Sequence, residues 1–444
     1  MITADVICGH LRLRPALRVA ARYTNNLAMA GFSERTALDT DALFFNPGLS
    51  RLATGRDSSL FAQDMLAQAD QIHSAISGRR ILVTGGAGSI GRATLELLLG
   101  YAPAAVHVID IGENALVEVV RDFRSRPTPI ITGEFRLLPI DYGSTATERL
   151  LQSEAPYDLV LHFAAHKHVR SEKDVPSVIQ MIDTNVLKMK RFTDWLLKYG
   201  HAKRYFAVST DKAANPTSLM GASKRLMEHV LFSVPPAIKP VSTRFANVAF
   251  SNGSLLEGFL FRLAQRQPLA VPREVRRYFV SAEEAAHICL LTAAVAEPGQ
   301  ITFPRLDPAE NLRPLAEIAV ALLKHLGLTP SFYDSEAEAC ASVPAELPQG
   351  RYPVLLTPLD TSGEKPYEEF VAADEQAVAT PFAALRALAY APPPHPLGDA
   401  LAYLEEVAND ATKPAEKSDI ARKLSLVVPG FRHVETGRSL DDRS

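Results

Sequence analysis

A glycine-rich turn at residues 84–91 constrains the fold of this chain more than any other feature. It has the sequence T-G-G-A-G-S-I-G, follows the apolar run Arg80–Val83 and opens a helix predicted from Ile90 to Leu99. Glycines with this spacing allow a tight turn, close approach of the backbone to a pyrophosphate and close helix–strand packing. The strand–turn–helix order therefore predicts a dinucleotide-binding unit. Its expected cofactor-binding residues are Gly85, Gly88, Ser89, Ile90 and Gly91.

The segments after this turn alternate between short apolar runs and helical patterns. Further strands are predicted at residues 105–109, 135–140, 159–163 and 204–208, with a helix at 113–124 between the first two. This alternation predicts an α/β fold with a Rossmann-type, doubly wound parallel sheet. In such a sheet, ligands bind beyond the carboxyl ends of the strands.

Two carboxylates and two alanines follow predicted strands and complete the expected cofactor set. Asp110 lies about 20 residues after the glycines, where a carboxylate binds the adenosine ribose and favours NAD over NADP. The alternative is an ordinary strand-end aspartate. Asp141 is predicted to reach the adenine amino group, and Ala164 and Ala165 follow the fourth strand.

Changes in residue composition and hydrophobic pattern along the chain predict four regions. They are a helical N-terminal extension at 1–77, the NAD-binding Rossmann domain at 78–240, a smaller mixed α/β substrate-binding region at 241–380, interleaved with the Rossmann core, and a C-terminal helical extension with a polar tail at 381–444. Within the last region, residues 382–406 are predicted to be helical on both sides of three prolines at 392–394.

Composition excludes several classes of partner. The net charge of −3 gives no basic excess for nucleic acid. No run approaches the roughly 18–20 apolar residues of a membrane span, and we expect no signal peptide. The cysteines (Cys8, Cys289 and Cys340) are odd in number and far apart. This pattern predicts neither disulfides nor a metal cluster and favours the reducing cytoplasm.

The segment Ser209–Lys224 carries the most specific motif. Its sequence, S-T-D-K-A-A-N-P-T-S-L-M-G-A-S-K, resembles the extended short-chain dehydrogenase/reductase superfamily. Within it, the segment is similar to the nucleotide-sugar 4,6-dehydratases of bacterial polysaccharide biosynthesis, which act on UDP-N-acetylhexosamines and have S-T-D-K-A-x-N-P-x-x-x-(Tyr or Met)-G-A-(Thr or Ser)-K. Further matches lie at His166–Val169, Thr184–Val186, Arg244–Val248, Arg277–Phe279 and Gly363–Glu369.

The resemblance implies a role for each residue of the reactive segment. Asp211 is the expected acid at carbon 6 and Lys212 the base at carbon 5, while Thr210 (or Ser209) hydrogen-bonds the oxygen on carbon 4. Lys224 binds the nicotinamide ribose. A close ion pair between Asp211 and Lys212 would oppose both of their roles, because the acid must hold a proton and the base must lack one.

The resemblance also implies substrate-binding residues, and it shows departures. The expected substrate-binding residues are His168, Asn185, Asn247, Arg277 and Glu364, with Arg277 on the diphosphate. His166 and His168 have the alternative of structural roles. Thr361-Ser362 stands where the family has Arg-Pro, and Asn252 where it has arginine, so each change removes one positive charge and leaves the nucleotide and the sugar open.

Met220 is the departure that matters most for the reaction. It occupies the position of the tyrosine that removes a sugar hydroxyl proton in most of the superfamily, and a thioether cannot exchange a proton. The predicted function is NAD-dependent 4,6-dehydration of a UDP-N-acetylhexosamine, which yields a 4-keto-6-deoxy sugar. The alternatives are a nucleotide-sugar 4-epimerase or dehydrogenase, and a non-catalytic NAD-binding scaffold. A homodimer is expected from the superfamily.

Overall fold

The computed structural model describes residues 43–167, 172–358 and 365–433. The strands in chain order are β1 (Arg80–Thr84), β2 (Ala105–Ile109), β3 (Glu134–Leu138), β4 (Leu159–His162), β5 (Arg204–Thr210), β6 (Lys239–Phe245), β7 (Asn247–Val248), β8 (Leu269–Pro272), β9 (Arg276–Val280), β10 (Gln300–Pro304), β11 (Leu312–Pro314), β12 (Thr329–Tyr333), β13 (Arg351–Thr357), β14 (Ala377–Val378) and β15 (Leu385–Ala389).

The α-helices connect these strands. In chain order they are α1 (Pro47–Thr54), α2 (Ala62–Ala67), α3 (Ala69–Ile76), α4 (Ser89–Leu99), α5 (Glu113–Ser125), α6 (Thr145–Ser153), α7 (Val175–Ile182), α8 (Lys188–Lys198), α9 (Leu219–Phe232), α10 (Leu255–Ala264), α11 (Ala282–Val295), α12 (Pro308–Asn311), α13 (Leu315–His325), α14 (Glu336–Glu346), α15 (Gly398–Asn409) and α16 (Lys417–Val427).

A nine-stranded sheet forms the centre of the described chain, in the order β14-β15-β10-β6-β5-β4-β1-β2-β3. Seven adjacent strands of this sheet run parallel to one another: β10, β6, β5, β4, β1, β2 and β3. The chain order reverses between β1 and β4, which is the switch point where doubly wound sheets bind ligands. The predicted Rossmann-type fold is therefore confirmed.

The central strands are apolar because both faces of the sheet are covered. Every residue of β2 and of β4 is buried, as expected for parallel strands between two helical layers. On one face, α11 packs against α4 and α3; on the other, α8 and α9 enclose a second apolar core. This packing fixes the strand ends at which the candidate site lies.

The later part of the chain adds two small sheets beside the main one. Their orders are β11-β9-β7 and β12-β13-β8. Within the described residues, no helix combines the length and apolarity that a membrane crossing requires.

One sequence prediction about the C-terminal region is wrong. Residues 385–389 were expected to be helical, but they form β15, which pairs antiparallel with β10 at the edge of the main sheet. Leu385 and Ala387 are buried on either side of the exposed Arg386. This local alternation fits a strand that covers a sheet edge, and helix begins only at Gly398, after the prolines.

Candidate active site

The glycine-rich turn joins β1 to α4 and touches the end of β4. Gly85 has a φ of 72°, and a Cβ there would lie 2.4 Å from the backbone nitrogen of Ala164. Only glycine combines this backbone angle with this close approach. The turn and the Ala164–Ala165 strand end therefore form one continuous surface.

Helix α4 presents its N-terminus at the same surface. Gly88 is its N-cap residue, and among the described residues no side chain caps the helix there. A Cβ on Gly88 would meet only the Gly85 carbonyl oxygen, at an ordinary 3.5 Å, whereas a Cβ on Gly91 would lie 2.4 Å from that oxygen. Close packing therefore requires glycine at position 91, but it does not require glycine at position 88. An uncapped helix start beside an unobstructed glycine fits a bound phosphate group.

The two predicted adenosine-binding carboxylates lie at neighbouring strand ends. Asp110 accepts hydrogen bonds from the backbone nitrogens of Ala87 (3.0 Å) and Gly112 (2.9 Å) and so braces the glycine-rich turn. Asp141 accepts from the Gly143 nitrogen at 2.8 Å and also pairs with Lys188. Asp110 is thus held by backbone alone, while Asp141 is already neutralised by a lysine.

A loop from the later region closes over this turn, which sequence reasoning missed. The backbone nitrogen of Asn252 donates to Ser89 Oγ at 2.9 Å. The predicted cofactor residue Ser89 therefore also connects the Rossmann domain to the segment after β7. The departure noted at position 252 therefore lies beside the start of α4.

The Thr210–Lys212 turn lies at the carboxyl end of β5. The hydroxyl of Thr210 donates to Asp211 Oδ1 at 2.9 Å, and the backbone nitrogen of Lys212 donates to the same oxygen at 2.9 Å. Asp211 is 2% exposed, and its Oδ2 has no hydrogen-bond partner among the described residues. Lys212 Nζ lies 3.3 Å from Asp211 Oδ1. The acid and base predicted from sequence are thus in contact in a largely buried turn.

Helix α9 packs its first turn directly on this centre. A Cβ on Gly221 would lie 2.6 Å from the carbonyl oxygen of Lys212, so glycine is needed for the helix to approach. Ser218 caps the helix by accepting from the Gly221 nitrogen. Glu172 accepts from the backbone nitrogens of Leu219 and Met220, both at 2.9 Å. These contacts fix Met220, which is 3% exposed, at the position of the missing tyrosine.

Lys224 lies one turn further along α9 and is almost completely buried. Its Nζ donates to the carbonyl oxygen of Val208 at 2.7 Å and to Met227 Sδ at 3.0 Å. Burial lowers the pKa of Lys224 to about 8, although Glu228 acts in the opposite direction. The ammonium is thus held at the end of β5, close to the reactive turn.

Asn185 occupies a single π-helical segment, Asp183–Leu187, between α7 and α8. Its side chain is 1% exposed; it accepts from the His166 nitrogen (2.8 Å) and donates to the His166 oxygen (2.9 Å) and to Ser223 Oγ (3.0 Å). These contacts connect the end of β4 to α9. The π-helical segment that positions the Asn185 amide was not predicted from the sequence.

Of the remaining predicted substrate residues, the structure describes Asn247 and Arg277, and each donates a hydrogen bond to a backbone carbonyl oxygen of the later region. Asn247 donates to the carbonyl oxygen of Tyr278 at 3.3 Å. Arg277 donates to the carbonyl oxygen of Pro366 at 3.0 Å, which places it beside the segment that leads to Glu368. His168 and Glu364 lie outside the described residues.

A third buried carboxylate belongs to the centre, and sequence reasoning did not assign it. Glu368 is 4% exposed, and its Oε1 lies 3.8 Å from Lys212 Nζ. Burial raises the pKa of Glu368, as does Asp211, while Lys212, Arg277 and Lys365 counteract the rise. The available signal was its place in the matched motif Gly363–Glu369.

A buried charge cluster anchors the segment that carries Glu368. Arg244 on β6 donates to Glu228 on α9 at 2.8 Å, to Glu375 at 2.6 Å and to the carbonyl oxygen of Phe370 at 2.8 Å. Ser209 donates to Glu228 at 2.6 Å. The cluster therefore connects the strand end before Thr210 to the segment after Glu368. In the described chain, no group of three or more His, Cys, Asp or Glu side chains is arranged to hold a metal ion.

Comparison with known proteins identifies the family. The family model described as polysaccharide biosynthesis protein matches residues 81–389, which is more than half of the 444 residues. The chain is 30% identical over 237 residues to the capsular polysaccharide biosynthesis protein CapD of Staphylococcus aureus, covering 52% of this chain and 38% of CapD. It therefore spans less than half the length of that relative.

Two further similarities concern the sequence of one protein and the fold of another. A UDP-N-acetylglucosamine 4,6-dehydratase (inverting) of Campylobacter jejuni is 29% identical over 258 residues, which covers 56% of this chain and 73% of that one. The solved structure of Pen from Bacillus thuringiensis has a TM-score of 0.56 at 21% identity, and the match covers 70% of this chain and 88% of Pen, a likeness of fold. The resemblance stated from the sequence is confirmed, and the chain belongs to the polysaccharide biosynthesis protein family.

Proposed function

We propose that this protein catalyses the NAD-dependent 4,6-dehydration of a UDP-N-acetylhexosamine, with UDP-N-acetylglucosamine as the first candidate. The observation that carries the proposal is the buried Asp211–Lys212 contact at the end of β5. It places a carboxyl group and an amino group at one strand end, beside the ligand-binding edge of the sheet, and these act as proton donor and proton acceptor once a proton has passed from Lys212 to Asp211 across their contact. The Campylobacter jejuni relative, named a UDP-N-acetylglucosamine 4,6-dehydratase, supports this reaction.

The dinucleotide is proposed to bind at the switch point between β1 and β4. The uncapped start of α4 and the unobstructed Gly88 suit a pyrophosphate. When bound, NAD supplies reversible removal and return of hydride at the sugar. The proposed contacts are Gly85, Gly88, Ser89, Ile90 and Gly91 for the pyrophosphate, Asp110 for the adenosine ribose, Asp141 for the adenine, and Ala164, Ala165 and Lys224 for the nicotinamide half.

The chain's own groups are proposed to perform the elimination of water. Lys212 takes the proton from carbon 5, which is acidic once carbon 4 is a ketone, and Asp211 donates a proton to the hydroxyl on carbon 6. That hydroxyl leaves as water, so the carbon–oxygen bond breaks as the carbon–carbon double bond forms. General acid–base catalysis of this kind contributes roughly 10²- to 10⁴-fold to the rate. Thr210 (or Ser209) is proposed to hydrogen-bond the oxygen on carbon 4, and the hydroxyl proton that is lost when carbon 4 becomes a ketone leaves through the threonine, Asp211 or a water.

The substrate is proposed to bind between the reactive turn and the later region. Arg277 offers a guanidinium for the diphosphate, and Asn247, His168 and Glu364 are assigned to the nucleotide-sugar from the family motif. For Asn185 we propose an indirect contribution, because its amide hydrogen-bonds the His166 backbone and Ser223. It would orient the strand end that faces the sugar.

The epimerase alternative is supported by relatives but opposed by one residue. UDP-glucose 4-epimerases of Rickettsia are among the similar proteins, at 26% identity for that of Rickettsia typhi. An epimerase that relies on a tyrosine to move the hydroxyl proton has no equivalent group here, because Met220 is buried at that position. The Asp211–Lys212 pair instead suits an elimination.

Product mass separates these functions. Purified protein is incubated with NAD and UDP-N-acetylglucosamine, and then with a panel of other UDP- and dTDP-sugars. A product lighter than the substrate by one water supports the dehydratase. An isomer of unchanged mass would replace it with an epimerase, and no turnover across the panel would support the non-catalytic scaffold.

A further inference from the structure

We propose that Glu368 is a positioning residue for Lys212 and that it controls the pH range in which the Asp211–Lys212 pair works. The proposal rests on the proposed dehydratase function. It adds a third charged group, from a distant segment, to a pair that is contiguous in the sequence. Its basis is the placement of Glu368 beside Lys212 inside the protein.

Lys212 contacts two buried carboxylates, those of Asp211 and Glu368. Its Nζ lies 3.3 Å from Asp211 Oδ1 and 3.8 Å from Glu368 Oε1. Asp211 and Glu368 are 2% and 4% exposed, and among the described residues Asp211 Oδ2 and Glu368 Oε2 are buried without hydrogen-bond partners. Among the described residues, this arrangement leaves one oxygen of Asp211 without a hydrogen-bond partner, so this oxygen is available to the hydroxyl on carbon 6 in the proposed elimination.

The position of Glu368 is built into the fold from two directions. Lys365 donates to the carbonyl oxygen of Asn215, and the Asn215 amide donates to Glu369 at 2.9 Å, so the chain on both sides of Glu368 is attached to the reactive segment. On the far side, Arg244 holds the carbonyl oxygen of Phe370 at 2.8 Å. The approach of Glu368 to Lys212 is therefore specified by several contacts.

The charges that face this centre come from three parts of the chain. Lys212 and Asp211 are on the turn after β5, Glu368 and Lys365 come from the segment after residue 364, and Arg277 comes from β9. Removing the negative charge of Glu368 favours the deprotonated form of every titrating neighbour. A charge within about 4–6 Å changes such equilibria by roughly one pH unit or more.

The test compares Glu368→Gln with Asp374→Asn, which removes an exposed carboxylate of the same segment. The pH dependence of kcat/KM for water loss is measured for both variants and for the unmodified protein. We expect both limbs of the Glu368→Gln profile to move to lower pH by about one unit, while Asp374→Asn leaves them in place. A Glu368→Gln profile that is lower but not displaced would overturn the proposal, because a merely structural role lowers the rate without moving the limbs.

Two further measurements keep the test decisive. Glu368→Asp retains the charge, so its limbs should lie closer to those of the unmodified protein even if its rate falls. The titration of Lys212, followed by NMR of ¹³C-labelled lysine and assigned with Lys212→Ala, needs no substrate. If the unmodified protein releases no water, the proposed function fails, and this titration decides alone: a lower midpoint in Glu368→Gln supports the inference, and an unchanged midpoint refutes it.

Discussion

The glycine-rich turn and the Thr210–Lys212 turn both lie at the carboxyl ends of parallel strands, but they are built differently. The first is shaped mainly by its own βαβ unit: Asp110 accepts from Ala87, which is 23 residues away, and the distant Asn252 adds one contact to Ser89. The charged groups of the second come from two distant segments, and Asn215 bonds Glu369 across 154 residues. One surface is therefore specified mainly by a local motif, and the other mainly by tertiary structure.

This difference has a consequence for how each site fails. A local turn loses function when its own residues change. A centre assembled from two distant segments also depends on what holds those segments together, and here that is the buried cluster around Arg244, which is completely inaccessible to solvent. The two regions should thus respond differently to changes inside and outside their motifs.

The largest effect is expected at Lys212. Lys212→Ala should reduce water loss by roughly 10²- to 10⁴-fold, because general-base assistance is removed, while NAD affinity stays unchanged. Product formation is measured by mass spectrometry and NAD binding by calorimetry. Lys203→Ala is the matched control, since Lys203 precedes the opposite end of the same strand and its side chain is 80% exposed. Full activity of Lys212→Ala would refute the assignment of the base.

The next largest effect tests the anchor of the reactive centre. Arg244→Met should lower the free energy of unfolding by up to about 3–5 kcal/mol, because the buried Glu228 and Glu375 lose one of their two cations and are left with Arg225. Arg422→Met is the control, since the Arg422 side chain is 73% exposed in its ion pair with Asp419, and such a pair is worth about 0–1 kcal/mol. Both are measured by urea unfolding, and equal losses would contradict the proposed role of the cluster.

A pH effect on stability is expected beneath the glycine-rich turn, where His162 Nδ1 contacts Thr84 Oγ1 at 2.7 Å. Burial, with a smaller effect of Lys224, lowers the pKa of His162 from 6.5 to about 3. Below pH 6.5, His162 therefore binds a proton in the unfolded chain but not in the folded chain. The free energy of unfolding falls as the pH decreases from 6.5 towards 3.

The size of this effect can be isolated by substitution. Between pH 6.5 and pH 5, His162 should account for up to about 2 kcal/mol of lost stability. His162→Asn retains a polar partner for Thr84 but has no titrating ring. The stability difference between the two pH values should shrink by that amount in the variant, as measured by urea unfolding at each pH. An undiminished difference would show that other groups cause the acid sensitivity.

The smallest effects separate two glycines of the same turn. Gly85→Ala should cost at least about 1–2 kcal/mol of stability, because a left-handed backbone angle penalises any Cβ. Gly88→Ala should cost less stability but should weaken NAD binding by about fivefold, if the added methyl costs about 1 kcal/mol against the pyrophosphate. Thermal unfolding and NAD calorimetry distinguish these results, and unchanged NAD affinity in Gly88→Ala would remove Gly88 from the cofactor site.

The same division between local and distant contacts separates what could be predicted from the sequence from what could not. The strand–turn–helix around Gly85 and the contiguous Asp211–Lys212 pair were found because their information is local. The parallel, doubly wound character of the central sheet followed from the alternation of strands and helices, while its strand order came from the structure. Glu368 and Arg244 were not assigned, because their roles arise only when β5, β6 and the segment after residue 364 meet in space.

The errors have the same origin. Strand β15 was mistaken for helix, since its short apolar pattern does not show that it pairs with β10 and β14. The π-turn at Asn185 has no sequence signal that we recognised. The four-region division, the homodimer and the cytoplasmic location stay predictions.

The position of solvent hydrogen in the product tests the central claim most directly. The protein is incubated with NAD and UDP-N-acetylglucosamine in deuterium oxide, and the product is analysed by mass spectrometry and NMR. The account predicts a 4-keto-6-deoxy sugar that has lost one water and carries deuterium at carbon 5, because the protons of Lys212 exchange with solvent. A product of unchanged mass with no deuterium at carbon 5 would contradict it.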